Sequence, residues 1–528
     1  MGIFFNPGNA GFQSAVRSEI YVDKTKMIQF TNKILDTEQR FVCVSRPRRF
    51  GKSITAKMLA AYYSSGCDSH ALFSATDIAQ VPSYCQELNK NNVIYLDIQW
   101  FRSVAKGKGQ LNQIVSYIQE QVIHELCENY GNQLTKDISP SLPEALLQIH
   151  SQTQEKFIII IDEWDCLFRE EKHNTTLQEE YINFLRGMFK GQPAEEFIRL
   201  AYITGILPIK KYGTQSALNN FDEYTMVNPL ILAEYVGFTE KEVQILCKKY
   251  HMDFHEAKRW YDGYSFNKVK SIYGPSSVTR AMRNEEFGNY WVETETYESL
   301  KLYIDMDLDG LKETLLQMLG GAHCPIDTGT FQNDMTNIHS RDDVLTLLIH
   351  LGYLAYDSAE KAVFIPNEEV RQEFVRAVKS GRRRELAKLI LASDQLLKDT
   401  LDMNAEKVAQ AIETAHSAGT APLFYNNEQA LRSVIRFAYV SCIDEFQTIH
   451  ELPSGTGYAD VVFLPKKKSS LPAVVIELKW NKTAESAIKQ IKEHKYPKIL
   501  EGIGCDILLV GISYDADTKK HSCVIEKY

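Results

Sequence analysis

At 528 residues the chain is long enough for two to four domains of about 100–200 residues each. Its 44% hydrophobic and 24% charged residues are ordinary for a globular protein and argue against a disordered or fibrous chain. A net charge of -9 excludes a globally basic nucleic-acid binder but not a local basic groove. The ten cysteines are scattered without a Cys-x-x-Cys pair, which argues for a reduced, intracellular protein with neither a zinc ribbon nor a disulfide scaffold.

In chain order, the N-terminus Met1-Gly2-Ile3-Phe4-Phe5-Asn6 lacks the basic and long apolar segments of a signal peptide, and Asn6 stands where myristoylation wants Ser or Thr. No run reaches the ~20 apolar residues needed to span a bilayer, so a cytoplasmic protein without a membrane partner is expected. The first strand is Phe41–Val44. The loop after it is Arg46, Pro47, Arg48, Arg49, Phe50, Gly51, Lys52 and Ser53, and a helix runs from Ile54 to Tyr63. Strand, tight loop, Gly-Lys-Ser and helix is the layout of a phosphate-binding P-loop. Its backbone N–H groups and the helix N-terminus make an anion site. Lys52 is expected to reach the outer phosphates of ATP, and Ser53 to ligate Mg²⁺. Arg46 occupies the position where the standard pattern has glycine, a departure at a tight turn. Arg48 and Arg49 are candidates for phosphate contact or for a solvent-facing loop.

Val93–Asp97 is the next strand, followed by a helix over Gln110–Tyr130. Phe157–Ile161 is a continuous β-branched run, the signature of a strand buried on both faces. It ends in Asp162-Glu163, the acidic pair expected of a Walker B partner, with Asp162 on the metal and Glu163 polarising the attacking water. Ile198–Gly205 is a fourth strand, ending in Thr204, a candidate γ-phosphate sensor. Strands alternating with helices imply an α/β domain with a mostly parallel sheet and its ligand at the strand C-termini.

Past Gly205 the regular strands stop and a mostly helical region is expected. Thr239 with Glu242 reads as a capping box. Trp260–Tyr264 is an aromatic-rich turn. A helix over Asp343–Gly352, a hairpin through Lys361–Ile365 and a helix over Glu368–Val378 suggest a winged-helix module, serving as a lid or interdomain contact in preference to DNA binding. Arg382-Arg383-Arg384 reads as a solvated run.

At the C-terminal end a helix over Asn427–Val440 carries Glu428. Strand Glu445–Glu451 leads to a Gly turn at Gly455–Gly457, strand Tyr458–Phe463 and strand Pro472–Lys479. Glu477 and Lys479 are two apart on a strand and share a face, where Asp460 of the neighbouring strand can join them. Two carboxylates at one point make an oxygen-ligand site for Mg²⁺ (or Mn²⁺), and a lysine beside a metal can serve the attacking water. A helix with Gln490 and Tyr496, then strand Ile507–Ile512, complete the order. Lys482, Lys489, Lys492 and Lys495 form either a phosphate-contacting face or a solvated one balanced by Glu485 and Glu493.

Taken together, these stretches resemble the proteins that join an AAA-ATPase-like domain to a C-terminal PD-(D/E)XK nuclease-superfamily domain. The matching stretches are Tyr21–Thr25, Arg46–Ser53, Ile161–Glu163, Thr204-Gly205, Asp262–Tyr264, Ile365–Val370, Gly455–Asp460 and Ile476–Trp480; Gly274 stands where Asn is expected before Pro275. The resemblance covers nearly the whole chain and makes Arg46 a usual departure. It implies an AAA-like P-loop ATPase domain at 1–215, a helical lid region at 216–390 and a PD-(D/E)XK nuclease-like domain at 391–528. Expected ligands are ATP at residues 46–54 (through Ile54), Asp162 and Thr204, and metal at Ser53, Asp162, Glu428, Asp460 and Glu477, with Lys479 and Glu163 catalytic.

The implied activity is an ATP-controlled nuclease acting on nucleic acid, DNA before RNA, in defence against mobile DNA or in genome maintenance. The competing expectation is a signalling or scaffolding ATPase whose nuclease-like domain binds without cutting. A DNA translocase ranks last, for want of further helicase motifs. Oligomeric state is left open, because no arginine acting in trans can be assigned.

Overall fold

An all-parallel sheet is covered on both faces, so its strands should be apolar along their whole length. The computed structural model bears this out for the first half of the chain. It describes residues 2–131, 141–209, 211–212, 215–216, 218–235, 237–266, 269–291, 296–306, 308–333, 338–380, 384–419, 431, 434–435, 438–439, 446–454, 457–465, 471–494 and 505–528. Strands Phe41–Ser45 (β1), Asn92–Asp97 (β2), Phe157–Asp162 (β3), Ile198–Gly205 (β4) and Asp222–Tyr224 (β5) form one sheet in the order β2-β3-β4-β1-β5, every neighbour parallel. β1 and β3 are buried at every residue.

The register decides what meets at the ligand end. Asp97 pairs with Asp162, Asp162 with Thr204, and Thr204 with Val44, so the C-terminal ends of four strands stand level. One face of the sheet is packed by helices Ile114–Tyr130, Leu142–Thr153 and Thr175–Phe189 through Ile118, Val122, Leu146, Leu185 and their neighbours. The helix expected from Gln110 begins at Ile114, after a 3₁₀ turn at Leu111–Gln113.

The expectation that strands stop at Gly205 is corrected by β5. Its sequence, Asp-Glu-Tyr, is polar because it lies at a sheet edge, where apolar patterning is weakest. A three-stranded antiparallel sheet follows, made of Phe238–Thr239, Val269–Tyr273 and Tyr264–Phe266. Thr239 and Glu242 form the expected capping box on helix Glu240–Lys249. The aromatic-rich turn resolves into the end of helix Phe254–Tyr261, a turn at Asp262-Gly263, and the strand opened by Tyr264. Helix Arg341–Leu351 leads to the hairpin Ala355–Asp357/Ala362–Phe364.

The chain divides into two compact units, Met1–Tyr290 with Pro325–Asn367, and Trp291–Cys324 with Glu368–Tyr528. The helix after the hairpin, Glu368–Ser380, therefore belongs to the second unit. That unit contains a second five-stranded sheet of Phe446–Ser454 (β6), Gly457–Pro465 (β7), Ala473–Trp480 (β8), Ile507–Asp515 (β9) and Lys520–Lys527 (β10) in sequential order. β8 and β9 are parallel and the other neighbours antiparallel. One face packs on Leu431, Val434, Ile435 and Tyr439. The other packs on Ile488 and Ile491 of helix Ala484–Glu493, which joins β8 to β9. β10 and the helices Arg384–Leu401 and Ala405–Gly419 were not anticipated from the sequence.

Candidate functional sites

The N-terminal site is built where β1 ends. Gly51 takes φ 81°, a left-handed conformation that costs glycine little, and turns the chain into helix Lys52–Tyr63 (α1). Arg49 is also left-handed, at φ 66°, so the loop closes tightly over two residues. Lys52 is buried and its ammonium donates to the Pro47 carbonyl at 2.8 Å, inside the loop. Burial pushes its pKa down, opposed by the carboxylates of Glu163, Asp162 and Asp165.

Asp162 is 2% exposed. Burial raises its carboxyl to about 6, against a hydrogen bond from Ser53 that lowers it. A buried carboxylate beside a hydroxyl at a phosphate loop is a hard-oxygen donor set, and a divalent cation there would offset the desolvation. Tyr95 of β2 reaches the same carboxylate at 3.5 Å. Thr204 is fully buried and donates its hydroxyl to the Val44 carbonyl at 2.9 Å, joining β4 to β1.

The remaining loop residues divide by direction. Arg46 is fully buried and faces inward, donating to the Ser45 and Tyr224 carbonyls at 2.9 and 3.2 Å, with its guanidinium 5.7 Å from the Phe266 ring centre. Phe50 also turns inward and meets Tyr264 edge-on, with ring centres 5.3 Å apart. Pro47 is buried, Arg48 is half-buried and pairs with Glu170 at 3.3 Å, and Arg49 and Ile54 are exposed.

Sequence reasoning missed the ionic network beside this site. Glu163 leaves β3 at φ 53° and its carboxylate meets Arg169 Nη2. Arg169 is nine-tenths buried and binds Asp165 Oδ2 through Nε at 2.9 Å. Asp165 in turn accepts the Ile206 and Leu207 N–H groups at 3.1 and 2.8 Å, just past the end of β4. Burial works against the charge on Arg169, but the surrounding carboxylates, Asp165 foremost, push its pKa up on balance. The available signal was the acid–base pair at i,i+4 on helix Cys166–Glu170 (α2) and its N-cap residue Asp165.

The C-terminal site lies between β7 and β8. Their ladder pairs Phe463 with Val474 and Val461 with Ile476, and Asp460 and Glu477 are the next residues along the two strands. There the Asp460 carboxylate takes the Leu478 N–H at 2.9 Å. Lys479 Nζ donates to Glu477 Oε1 at 3.0 Å, and Gln490 of helix Ala484–Glu493 (α3) donates to the same oxygen. Asp460, Glu477 and Lys479 are all buried. The structure thus joins Glu477, Lys479 and Gln490 by hydrogen bonds and holds Asp460 on the backbone N–H one residue past Glu477. Glu428 and Tyr496 lie outside the described residues. Among the described residues no group of three His, Cys, Asp or Glu side chains converges on a metal position, so the two carboxylates are the described part of any such site. Lys489 pairs with Glu493 at 3.6 Å and Lys492 with Glu526, which gives α3 the character of a charge-balanced outer face.

The folds and sites define a P-loop ATPase domain followed by a PD-(D/E)XK-type domain, both α/β. Comparison with known proteins agrees. Residues 11–214 match the family described as a predicted AAA-ATPase, and residues 426–523 match the PD-(D/E)XK nuclease superfamily. The chain is 22% identical over 519 residues to the "uncharacterized protein in vnfD 5′ region" of Azotobacter chroococcum mcd 1, across 94% of this chain and 93% of that one. Among solved structures it is similar to Cdc6p of Pyrobaculum aerophilum (12% identity, TM-score 0.23, 72% of this chain and 98% of that one). It is also similar to the Aeropyrum pernix ORC1 protein in complex with DNA (12% identity, TM-score 0.24, 74% of this chain and 100% of that one). Such domains use nucleotide and divalent metal in general. Among the described residues no helix is long and apolar enough to cross a membrane.

Proposed function

We propose that this is a cytoplasmic ATPase whose C-terminal domain is a Mg²⁺-dependent nuclease, cutting phosphodiester bonds of nucleic acid, DNA before RNA, under the control of bound ATP. Defence against mobile DNA or genome maintenance is the corresponding role. Functionally we divide the chain at 1–215, 216–390 and 391–528. In the first part the loop backbone, Lys52 and Ser53 bind the triphosphate, Asp162 and Ser53 hold the metal, and Glu163 takes the proton of the attacking water. In the last, Asp460 and Glu477, with Glu428, hold the metal. Lys479 orients the attacking water. The metal would offset the charge developing on the phosphodiester.

The observation that supports this reading is the burial of Asp460, Glu477 and Lys479 on the adjacent strands β7 and β8, with Lys479 bonded to Glu477 and Asp460 bonded to the Leu478 N–H. Two buried carboxylates with one ammonium between two strands are costly for a fold to keep for stability alone. Nicking of supercoiled plasmid with Mg²⁺ or Mn²⁺, with and without ATP, tests it. Glu477→Ala should abolish nicking while a fluorescent ATP analogue still binds, and Lys52→Ala should weaken that binding. Nicking that persists in clean Glu477→Ala protein refutes the assignment. No nicking by the parent chain, with nucleic acid still bound, favours the scaffolding ATPase instead.

A further inference from the structure

We propose that Arg169 is the positioning residue for Glu163 in ATP hydrolysis, and that the Asp165–Arg169 pair ties the Glu163 carboxylate to the end of β4. This rests on the hydrolytic reading of the N-terminal domain. In that reaction the water oxygen bonds to the γ-phosphorus. The bridging P–O bond breaks with its electron pair leaving on ADP, and the water's proton passes to Glu163. The base must present one oxygen to the water, and nothing in a free glutamate fixes which way it points.

Three observations converge on Arg169. First, Glu163 sits in a left-handed turn at the strand exit, its N–H bound to Asp162 Oδ1 at 3.0 Å, so its backbone is fixed and only its side chain is left to orient. Second, one carboxylate oxygen of Glu163 is held by Arg169 Nη2, while Nε of the same planar guanidinium is held by Asp165. A guanidinium presents its donors in a rigid fork, so fixing Nε fixes the direction in which Nη2 points. Third, Asp165 is 1% exposed and anchored by two backbone N–H groups directly after Thr204-Gly205. The Trp164 N–H also donates to the Thr204 carbonyl at 3.1 Å. Any shift of the β4 end thus reaches Glu163 through two hydrogen-bonded ion pairs.

Arg169→Lys is the informative variant. Lysine keeps a cation for Asp165 but lacks the fork that serves both carboxylates. Steady-state ATP turnover should fall about tenfold in kcat, because a misdirected base loses part of its usual advantage. The dissociation constant for an ATP analogue should stay within about twofold, since the residue touches no phosphate-binding group. In a Glu163→Gln background the same change should lower kcat by less than about twofold, because the residue acts through Glu163. Arg169→Ala, if it folds, should repeat this pattern with a larger loss.

Loss that appears in analogue affinity, losses that multiply with Glu163→Gln, or turnover faster than the parent each overturn the inference. A parent chain that binds ATP without hydrolysing it overturns the hydrolytic reading as well, so the two failures are distinguishable.

Discussion

Gly511 provides the sharpest test of how the C-terminal site is held. It lies on β9 directly beside Glu477 of β8. A Cβ at Gly511 would sit 2.3 Å from the Ala484 carbonyl oxygen, 3.1 Å from Ile488 and 3.2 Å from Ala487, all on α3. Carbon and oxygen repel below about 3.2 Å, so the first turn of α3 would have to lift by about 1 Å. The obstacle is backbone, so no rotamer change relieves it. Overpacking of this kind costs about 1–3 kcal/mol, and a backbone clash belongs at the upper end. The same lift draws Gln490 away from Glu477, so both stability and metal-dependent nicking should suffer, the latter about tenfold. Calorimetry and plasmid nicking on Gly511→Ala measure the two effects. Gly107→Ala, where a Cβ meets nothing within 4 Å, is the matched control. A Gly511→Ala protein that melts and nicks like the parent would show that α3 does not lean on β9 as described.

Acid should weaken the second unit through His521. Its imidazole is pushed down to about 4 by burial and by His416, whose ring lies 5.2 Å away. A histidine depressed in the fold is stabilising above its ordinary value of 6.5, and that contribution is lost as pH falls from 6.5 toward 4. The gap bounds the loss at about 3 kcal/mol. Urea unfolding at neutral pH and at about pH 4 should show a smaller acid loss in His521→Phe than in the parent; equal losses contradict the burial argument. In the first unit, Gly263 has φ 120° and a Cβ there would lie 2.0 Å from the Pro366 carbonyl oxygen. Gly263→Ala should cost more than about 3 kcal/mol or abolish soluble expression, read by thermal unfolding. Phe50→Ala removes the contact with Tyr264 and should cost about 3–5 kcal/mol by the same measurement.

The parts legible in the sequence were those whose chemistry is local. The P-loop, the Asp162-Glu163 exit and the Glu477-x-Lys479 spacing each lie within a few residues, and the burial of β1 and β3 showed as apolar runs. The illegible parts depend on neighbours distant in the chain. β5 is three polar residues that become a strand only because β1 offers a free parallel edge. β10 alternates weakly and is defined by its pairing with Leu508–Asp515 of β9. Asp165 looks like any acidic residue until Ile206 and Leu207, just past the end of β4, hold it. Likewise, residues 46–54 form one continuous motif in sequence, but folding turns Arg46 and Phe50 away from the loop's outer side, toward carbonyls and an aromatic ring.

That inward turn accounts for the arginine in the glycine position of the loop. A glycine there serves a turn that a side chain would crowd if it pointed toward the phosphates. Arg46 avoids the problem by leaving β1 along the sheet, where its N–H pairs with the Gly205 carbonyl at 3.0 Å and its guanidinium bridges the Ser45 and Tyr224 carbonyls. Desolvation lowers its pKa to about 10, so the side chain stays charged at neutral pH while fully buried. The left-handed turn that the motif needs is made further on, at Arg49 and Gly51. The substitution therefore leaves the phosphate-binding backbone free of a side chain and fastens the β1 end to β5. β5 in turn is one of the strands that the sequence did not reveal, so the anomaly in the motif is tied to a hidden strand through the Tyr224 carbonyl.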